Sequence, residues 1–280
     1  MQGLMQGKRG LILGVANDHS IAWGIARVLA AHGATLAFTY QGEALGKRVK
    51  PLAAQTGSEL TLPCDVEDLK SVDAVFAQIG ERWGSLDFVV HAIAFSDRNE
   101  LKGRYADTSR ENFIRTMVIS CFSFTEIAKR AAALMPGAGS MLTLTFGGST
   151  RVVPNYNVMG VAKAALEASV RYLATDFGPR NIRVNAISAG PVRTLAGAGI
   201  ADARQMYNFQ KRHAPLQRTV TIEEIGGAAL YLLSDLSTAV TGDVHYVDSG
   251  FNTVAMPNPS AMAGEYNENG DNEQQRDAAQ

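Results

Sequence analysis

Cysteine is scarce in this chain, and its two thiols, Cys64 and Cys121, have no companions at metal-ligand spacing. That excludes a disulfide framework, argues against a zinc site and predicts two reduced thiols in the core. An excess of charge of one sign is also lacking. The 26 basic residues stand against 27 acidic ones, a formal charge of −1, which leaves no electrostatic footprint for a nucleic acid. No apolar run approaches the ~20 residues that a bilayer requires. The opening "MQGLMQGKRG" passes within a few residues into apolar sequence, with no room for a charged segment followed by a secretory apolar stretch. These absences predict a soluble, cytoplasmic protein with no membrane partner, no nucleic-acid partner and no bound metal.

What is present is apolar sequence cut into short pieces. The hydrophobic fraction of 46% is ample for a core, and 280 residues suit one large α/β domain better than two small ones. Seven β-rich runs recur at 10–16, 34–40, 59–65, 86–95, 140–146, 182–188 and 243–248. Most are almost continuously apolar, as strands covered on both faces are, and the segments between them carry helical periodicity, as in "IAWGIARVLAAHG". The pattern predicts an α/β fold: a single-domain, Rossmann-type, doubly wound parallel sheet of seven strands, with helices on both faces and ligands at the carboxyl ends of the strands. The domain is expected over residues 1–256. Within it, "VRTLAGAGIADARQMYNFQKR", residues 192–212, is rich in small residues with weak amphipathicity and reads as a mobile helical lid, the alternative being an ordinary connecting helix pair. Residues 257–280 carry five acidic residues against Arg276 and almost no large aliphatics, the composition of a disordered acidic tail.

After the first run comes "GVANDHSIAWG", where Gly14, Ser20, Ala22 and Gly24 are small and a helix begins near Ser20 or Ile21. Amides at a helix start can hold a dinucleotide pyrophosphate provided no bulky side chain intervenes. The literal G-x-G-x-x-G pattern is missing, because Asp18 and Ser20 stand where glycines are usual, so a plain turn and cap remains open. Ser20 suits a cap, a phosphate contact, or both. Beyond the second run Gln41 occupies the place that meets the adenosine ribose, with no arginine there for a 2′-phosphate, which favours NADH over NADPH. Lys47 and Arg48 lie a turn further on. After the third run, Asp65 and Val66 offer a carboxylate and an apolar wall suited to an adenine ring, although Asp65 suits a helix cap equally well.

The fifth run leads through "FGGSTRVVPNY" into a helix beginning near Tyr156 and containing Lys163. Seven residues turn through ~700°, so the two side chains share one face about 10 Å apart along the axis. A nicotinamide ribose can bridge that gap, the ammonium holding its hydroxyls and the phenol aimed at a substrate. The lysine charge is expected to lower the tyrosine pKa from ~10. In the common short-chain reductases a serine stands thirteen residues before a tyrosine that precedes lysine by four. Counting back from Lys163 gives Met159 and Phe146, neither able to transfer a proton. The pair that polarises a ketone is therefore missing, and one hydroxyl remains. A conjugated enoyl thioester needs one donor, for the charge that gathers on its oxygen.

The segments "FTYQ", "CDV", "PNYNVMGVAKAALEASVRYLATDFGPRNIRVNAISAGPVRTLA" and "QRTVTIEEIG" resemble the bacterial enoyl-acyl-carrier-protein reductases of dissociated fatty-acid synthesis, over residues ~5 to 256. The resemblance implies an NADH-dependent homotetramer that reduces the trans-2 double bond of chains carried on acyl-carrier protein. It implies that Tyr156 stabilises the enolate and Lys163 binds the nicotinamide ribose. Gly14, Ser20, Ile21, Gln41, Asp65, Val66 and Ile93 would line the cofactor, and Pro191, Val192 and Thr194 would pass the nicotinamide and start the lid. Ala94, Phe95, Phe146, Ile200, Ala203, Met206 and Tyr207 would surround the substrate with Tyr156. Three positions depart from the family pattern: Phe146 where a second tyrosine is frequent, Ala94 where glycine is common, and Ala203 where a bulky aromatic is frequent. All three bear on chain-length preference. The competing readings are another short-chain reductase acting on an enoyl-CoA or a ketone, and a nicotinamide-binding protein without turnover. Retention of both Tyr156 and Lys163 weighs against the last.

Overall fold

Along β1 (Arg9–Leu13) the side chains of Leu11 and Leu13 enter one hydrophobic cluster and Ile12 the other, the two-residue alternation of a strand covered on both faces. Val89 opposes Phe88 and Val90 in the same way along β4 (Phe88–His91), and Met141 opposes Leu142 along β5 (Gly139–Thr145). The near-continuous apolar runs of the sequence are thus two interleaved faces. The computed structural model describes residues 3–194 and 203–256. The expected acidic tail and, from the expected lid, residues 195–202 with Ile200 among them lie outside the described residues.

The remaining strands are β2 (Thr35–Tyr40), β3 (Leu60–Pro63), β6 (Ile182–Ala189) and β7 (Val244–Val247). All seven pair in parallel in the order β3-β2-β1-β4-β5-β6-β7, so the seven-stranded doubly wound sheet is as the sequence implied. The order reverses between β1 and β4, and the loops leaving their carboxyl ends part there to open a crevice. One face is covered by α3 (Leu69–Trp83), α5 (Ser123–Ala133) and α6 (Asn157–Phe177), through side chains such as Ile79, Phe124 and Leu166. The other is covered by α1 (Ile21–Ala31), α2 (Gly42–Gln55) and α8 (Ile222–Leu233), through Ile25, Val49 and Ile225.

Gly24, one of the small residues grouped with the phosphate turn, does something else. A Cβ there would stand 2.5 Å from the carbonyl oxygen of Ile222, so the missing side chain lets α1 lie directly against the start of α8. That start is fixed by a capping box in which Thr221 and Glu224 bond each other's backbone amides.

One helix has no counterpart in the sequence pattern, and another corrects it. Helix α4 (Arg110–Met117) runs into a π-helical turn, Val118–Phe122, before α5, and such turns gather at functional sites. Helix α7 (Ala203–His213) falls in the expected lid, and its expected weak amphipathicity is not observed. Met206 and Tyr207 are half-buried while Gln210 and His213 are buried, with Arg204, Asn208, Lys211 and Arg212 exposed. The buried face was hard to see because two of its members are polar. Gln210 is satisfied there, its Nε2 donating to Asp248 O at 3.1 Å.

Candidate active site

The cofactor end is built on the loop after β1. Gly14 has φ of 102°, in the region that favours glycine, and a Cβ there would lie 2.1 Å from Ala92 O. The chain can therefore pass tight against the end of β4. Ser20 precedes α1, but its side chain does not cap the helix, which removes one of the two uses the sequence left open. Its Oγ instead accepts from the amides of Ala16 and Asn17 at 3.0 and 3.1 Å, which shapes the turn. The first turn of α1 thus keeps its amides clear of any side-chain cap, and it carries no acidic residue. Open donors at a helix N-terminus without a carboxylate are what a pyrophosphate requires.

The ends of β2 and β3 bring the next pair together. Gln41 Nε2 donates to Asp65 Oδ2 at 3.0 Å, and Val66 is buried beside them. Asp65 is not a helix cap: Asp68 caps α3 through the amide of Lys70, while Asp65 Oδ1 accepts from the amide of Glu67. Lys47 and Arg48 are exposed on α2. Burial, then the neighbouring Asp65 carboxylate, push the Cys64 thiol up to about 11, so it is an inert core group.

Beyond β4, Ile93 is half-buried and Ala94 and Phe95 are exposed. Ser120, from the π-helical turn, holds Phe95 at both backbone groups, accepting from its amide and donating to its carbonyl at 2.9 Å. Arg115 of α4 spans this loop and the one after β3. Its guanidinium lies 4.5 Å from the centre of the Phe95 ring and donates two bonds, at 2.9 and 2.8 Å, to Glu67. Neither Arg115 nor Ser120 was singled out in the sequence, because both act on residues far away in the chain.

Tyr156 stands immediately before α6, flanked by Asn155 and Asn157 with φ of 60° and 33°. Non-glycine residues held with positive φ are uncommon and gather at sites where geometry is imposed. The ring is buried among Leu101, Val158, Met159 and Ala162 and meets Phe146 edge-on at 5.2 Å. Burial, and secondarily the Glu167 carboxylate, push its phenol well above the usual range. The expected lowering by Lys163 is therefore reversed: removal from water disfavours the phenolate. Tyr156 remains a neutral donor across the physiological range.

Lys163 is also buried, and its Nζ donates to Leu144 O at 2.8 Å. Burial pulls its ammonium down to about 8 against the opposing influences of Cys121 and Glu167. Glu167, one turn further along α6, is 7% exposed and accepts from Thr145 Oγ1 at 2.7 Å. Behind them His91, fully buried between Ser123 and Thr143, is pushed down to about 3 by burial and by Lys163, so it is neutral.

A cavity of about 1050 Å³ opens at the carboxyl ends of β5 and β6, walled by Phe146, Pro191 and Met206. Phe209, Phe251 and Met256 add to its apolar surface, and Arg151, Arg212 and Asp248 place charged groups on the same wall; their separation in sequence hid them. Val192 and Tyr207 turn the other way, toward Asp18 and His19 by the phosphate turn. There the Tyr207 hydroxyl accepts from Thr219 Oγ1 at 2.6 Å beneath the Arg193 guanidinium. Thr194 follows Val192, bonded to its carbonyl, and Ala203 opens α7. Among the described residues no group of three or more His, Cys, Asp or Glu is placed to hold a metal.

A parallel sheet with an open helix N-terminus at its switch point, and a buried lysine behind a neutral tyrosine on the helix after β5, defines a nicotinamide-dependent reductase of the short-chain type. The chain belongs to the enoyl-(acyl carrier protein) reductase family, whose model matches residues 14–252. It is 75% identical over 262 residues to enoyl-acyl-carrier-protein reductase (NADH) 2 of Rhizobium meliloti strain 1021, covering 94% of this chain and 98% of that one. The crystal structure of FabI from Candidatus Liberibacter asiaticus is 64% identical and superimposes with a TM-score of 0.90, covering 92% of this chain and 100% of that one. The enoyl-acyl-carrier-protein reductase of Anaplasma phagocytophilum in complex with NAD is 58% identical with a TM-score of 0.89, covering 92% and 98%.

Proposed function

We propose that this chain reduces the trans-2 double bond of enoyl thioesters with NADH, the acyl chain being carried on acyl-carrier protein. The observation that carries the reading is the hydroxyl of Tyr156, on the helix face of Lys163 and flanked by two side chains that carry none. Tyr156 is kept neutral by burial, while Phe146 and Met159 stand where a ketone reductase needs its serine and tyrosine. The open first turn of α1, the Gln41–Asp65 pair and buried Lys163 suit the pyrophosphate, the adenosine and the nicotinamide ribose of the cofactor. When bound, that cofactor supplies a hydride to the β-carbon. Charge then gathers on the thioester oxygen, where Tyr156 donates a hydrogen bond to it, and the α-carbon takes a proton. Phe146 and Met206 wall the cavity beside this donor with apolar surface, as an acyl chain requires.

The test compares two thioesters with NADH. A crotonyl thioester should be reduced and an acetoacetyl thioester left unchanged. Reduction of the acetoacetyl compound alone would make the chain a ketone reductase.

Gln41 carries a second expectation. Its amide, held by Asp65, can meet ribose hydroxyls, whereas the Asp65 carboxylate beside it opposes a 2′-phosphate. NADH should be preferred to NADPH by at least roughly tenfold in kcat/KM, about 1.4 kcal/mol. Equal efficiency would point to exposed Lys47 and Arg48 as phosphate ligands.

The homotetramer that the family resemblance implies would cover apolar side chains now facing solvent, among them Phe122 beside α5 and Tyr172 on α6. Light scattering should give four times the chain mass of 29.9 kDa. A monomer at micromolar concentration would refute the assembly.

A further inference from the structure

Three successive residues at the end of β5 each hold one side chain from the first turns of α6. Phe146 packs edge-on against Tyr156, the Leu144 carbonyl accepts from Lys163 Nζ, and Thr145 Oγ1 donates to Glu167 Oε1 at 2.7 Å. Tyr156 and Lys163 have functions in the reaction proposed above. Glu167 has none, yet it is a carboxylate buried to the same degree as the lysine, four residues from it and so on the same face of the helix. Burying a carboxylate is unfavourable unless something in place uses its charge, and Thr145 fixes the side chain through one of its two oxygens.

We propose that Glu167 is a positioning residue of the reductase: its buried carboxylate, moored to Thr145, keeps the Lys163 side chain charged and held at the Leu144 carbonyl, where it can take up the hydroxyls of a nicotinamide ribose. The inference rests on the reading of Lys163 as a ribose-binding group. The titratable groups facing this pair are Tyr156 at the start of α6, Cys121 from the π-helical turn and His91 on β4. His91 is neutral and the Cys121 thiol is raised by burial, so neither supplies a negative charge near neutral pH. The influence of Cys121 on the lysine requires its thiolate, so with that thiol protonated the Glu167 carboxylate is the remaining negative group that opposes the lysine's removal from water. The same charge acts on Tyr156 in the useful direction, since it disfavours a phenolate and keeps the donor protonated.

The test is the pH profile of NADH affinity in Glu167→Gln, which keeps the shape of the side chain and removes its charge. Removing a nearby negative charge lets Lys163 lose its proton at lower pH. At pH ~6, where the lysine is charged in both proteins, the Kd for NADH should be within about twofold of the parent; near pH ~8.5 it should be raised about tenfold. A loss of equal size at both pH values, or no loss at either, would overturn the proposal, because a role in packing alone does not follow the lysine proton. If Glu167→Gln fails to fold, Thr145→Val decides. It leaves the carboxylate but removes its mooring, and it should weaken NADH binding more at the higher pH; a flat profile overturns the proposal. Failure of the unsubstituted protein to bind NADH would instead remove the reading on which the inference rests.

Discussion

Replacing Tyr156 by phenylalanine should lower kcat for an enoyl thioester by about 10²–10³-fold, or roughly 2.7–4 kcal/mol of transition-state stabilisation, the usual contribution of one oxyanion donor. NADH affinity should stay within about twofold, since the phenol is directed at the substrate and the cofactor is held elsewhere. The ring already fills an apolar pocket between Phe146, Leu101 and Met159, so phenylalanine will fit without a cavity. Loss of the hydroxyl also removes a buried polar group, and the variant should be at least as stable as its parent. Turnover close to that of the parent would mean that the enolate charge is met by another group. Because Phe146 and Met159 have no proton to offer, that group would have to come from outside the cluster.

Lys163→Met should show the opposite division. Methionine approximates the length and apolar stem of lysine, so the fold of α6 is kept while the ammonium is lost. Hydrogen bonds to charged groups contribute about 1.5–3 kcal/mol, and the Kd for NADH should rise by about 10- to 150-fold. The parent protein should also lose NADH affinity as pH rises through about 8, the value to which burial lowers this lysine. The sign follows from the charged form being the donor: it is present below that pH and lost above it. The methionine variant should show no such decline. An unchanged affinity, or a decline that persists in Lys163→Met, would remove the lysine from the ribose site.

The sheet was legible because its central strands, such as β1, β4 and β5, are buried on both faces, a condition that writes itself as nearly continuous apolar runs. The positions of Tyr156 and Lys163 were legible for a related reason, as both follow from a fixed distance along one helix. Protonation states were not. The lysine charge was expected to lower the tyrosine pKa, but the cost of burial, set by Leu101 and Met159 around the ring, acts in the other direction. Side chains with two possible uses were also ambiguous. Ser20 suited a helix cap or a phosphate contact equally and its Oγ folds the preceding turn, while Asp65 could have capped α3 but holds Gln41. Long-range pairs such as Arg115 with Glu67 leave no local pattern. Glu167 lay within reach, one turn beyond Lys163 on the same face, yet a glutamate at that interval on a helix is usually a solvated surface pair. Only its burial makes it conspicuous.

The central claim is that a single tyrosine suffices because the hydride goes to carbon and the charge to a thioester oxygen. It is tested most directly by locating the transferred atom. NADH carrying deuterium at the transferable position of its nicotinamide should be consumed with a trans-2-enoyl thioester, and mass spectrometry of the saturated product should place one deuterium on the β-carbon. The same reaction in D₂O with unlabelled NADH should place deuterium on the α-carbon. Consumption of NADH only with a 3-oxoacyl thioester, with label on the carbinol carbon, would contradict the account.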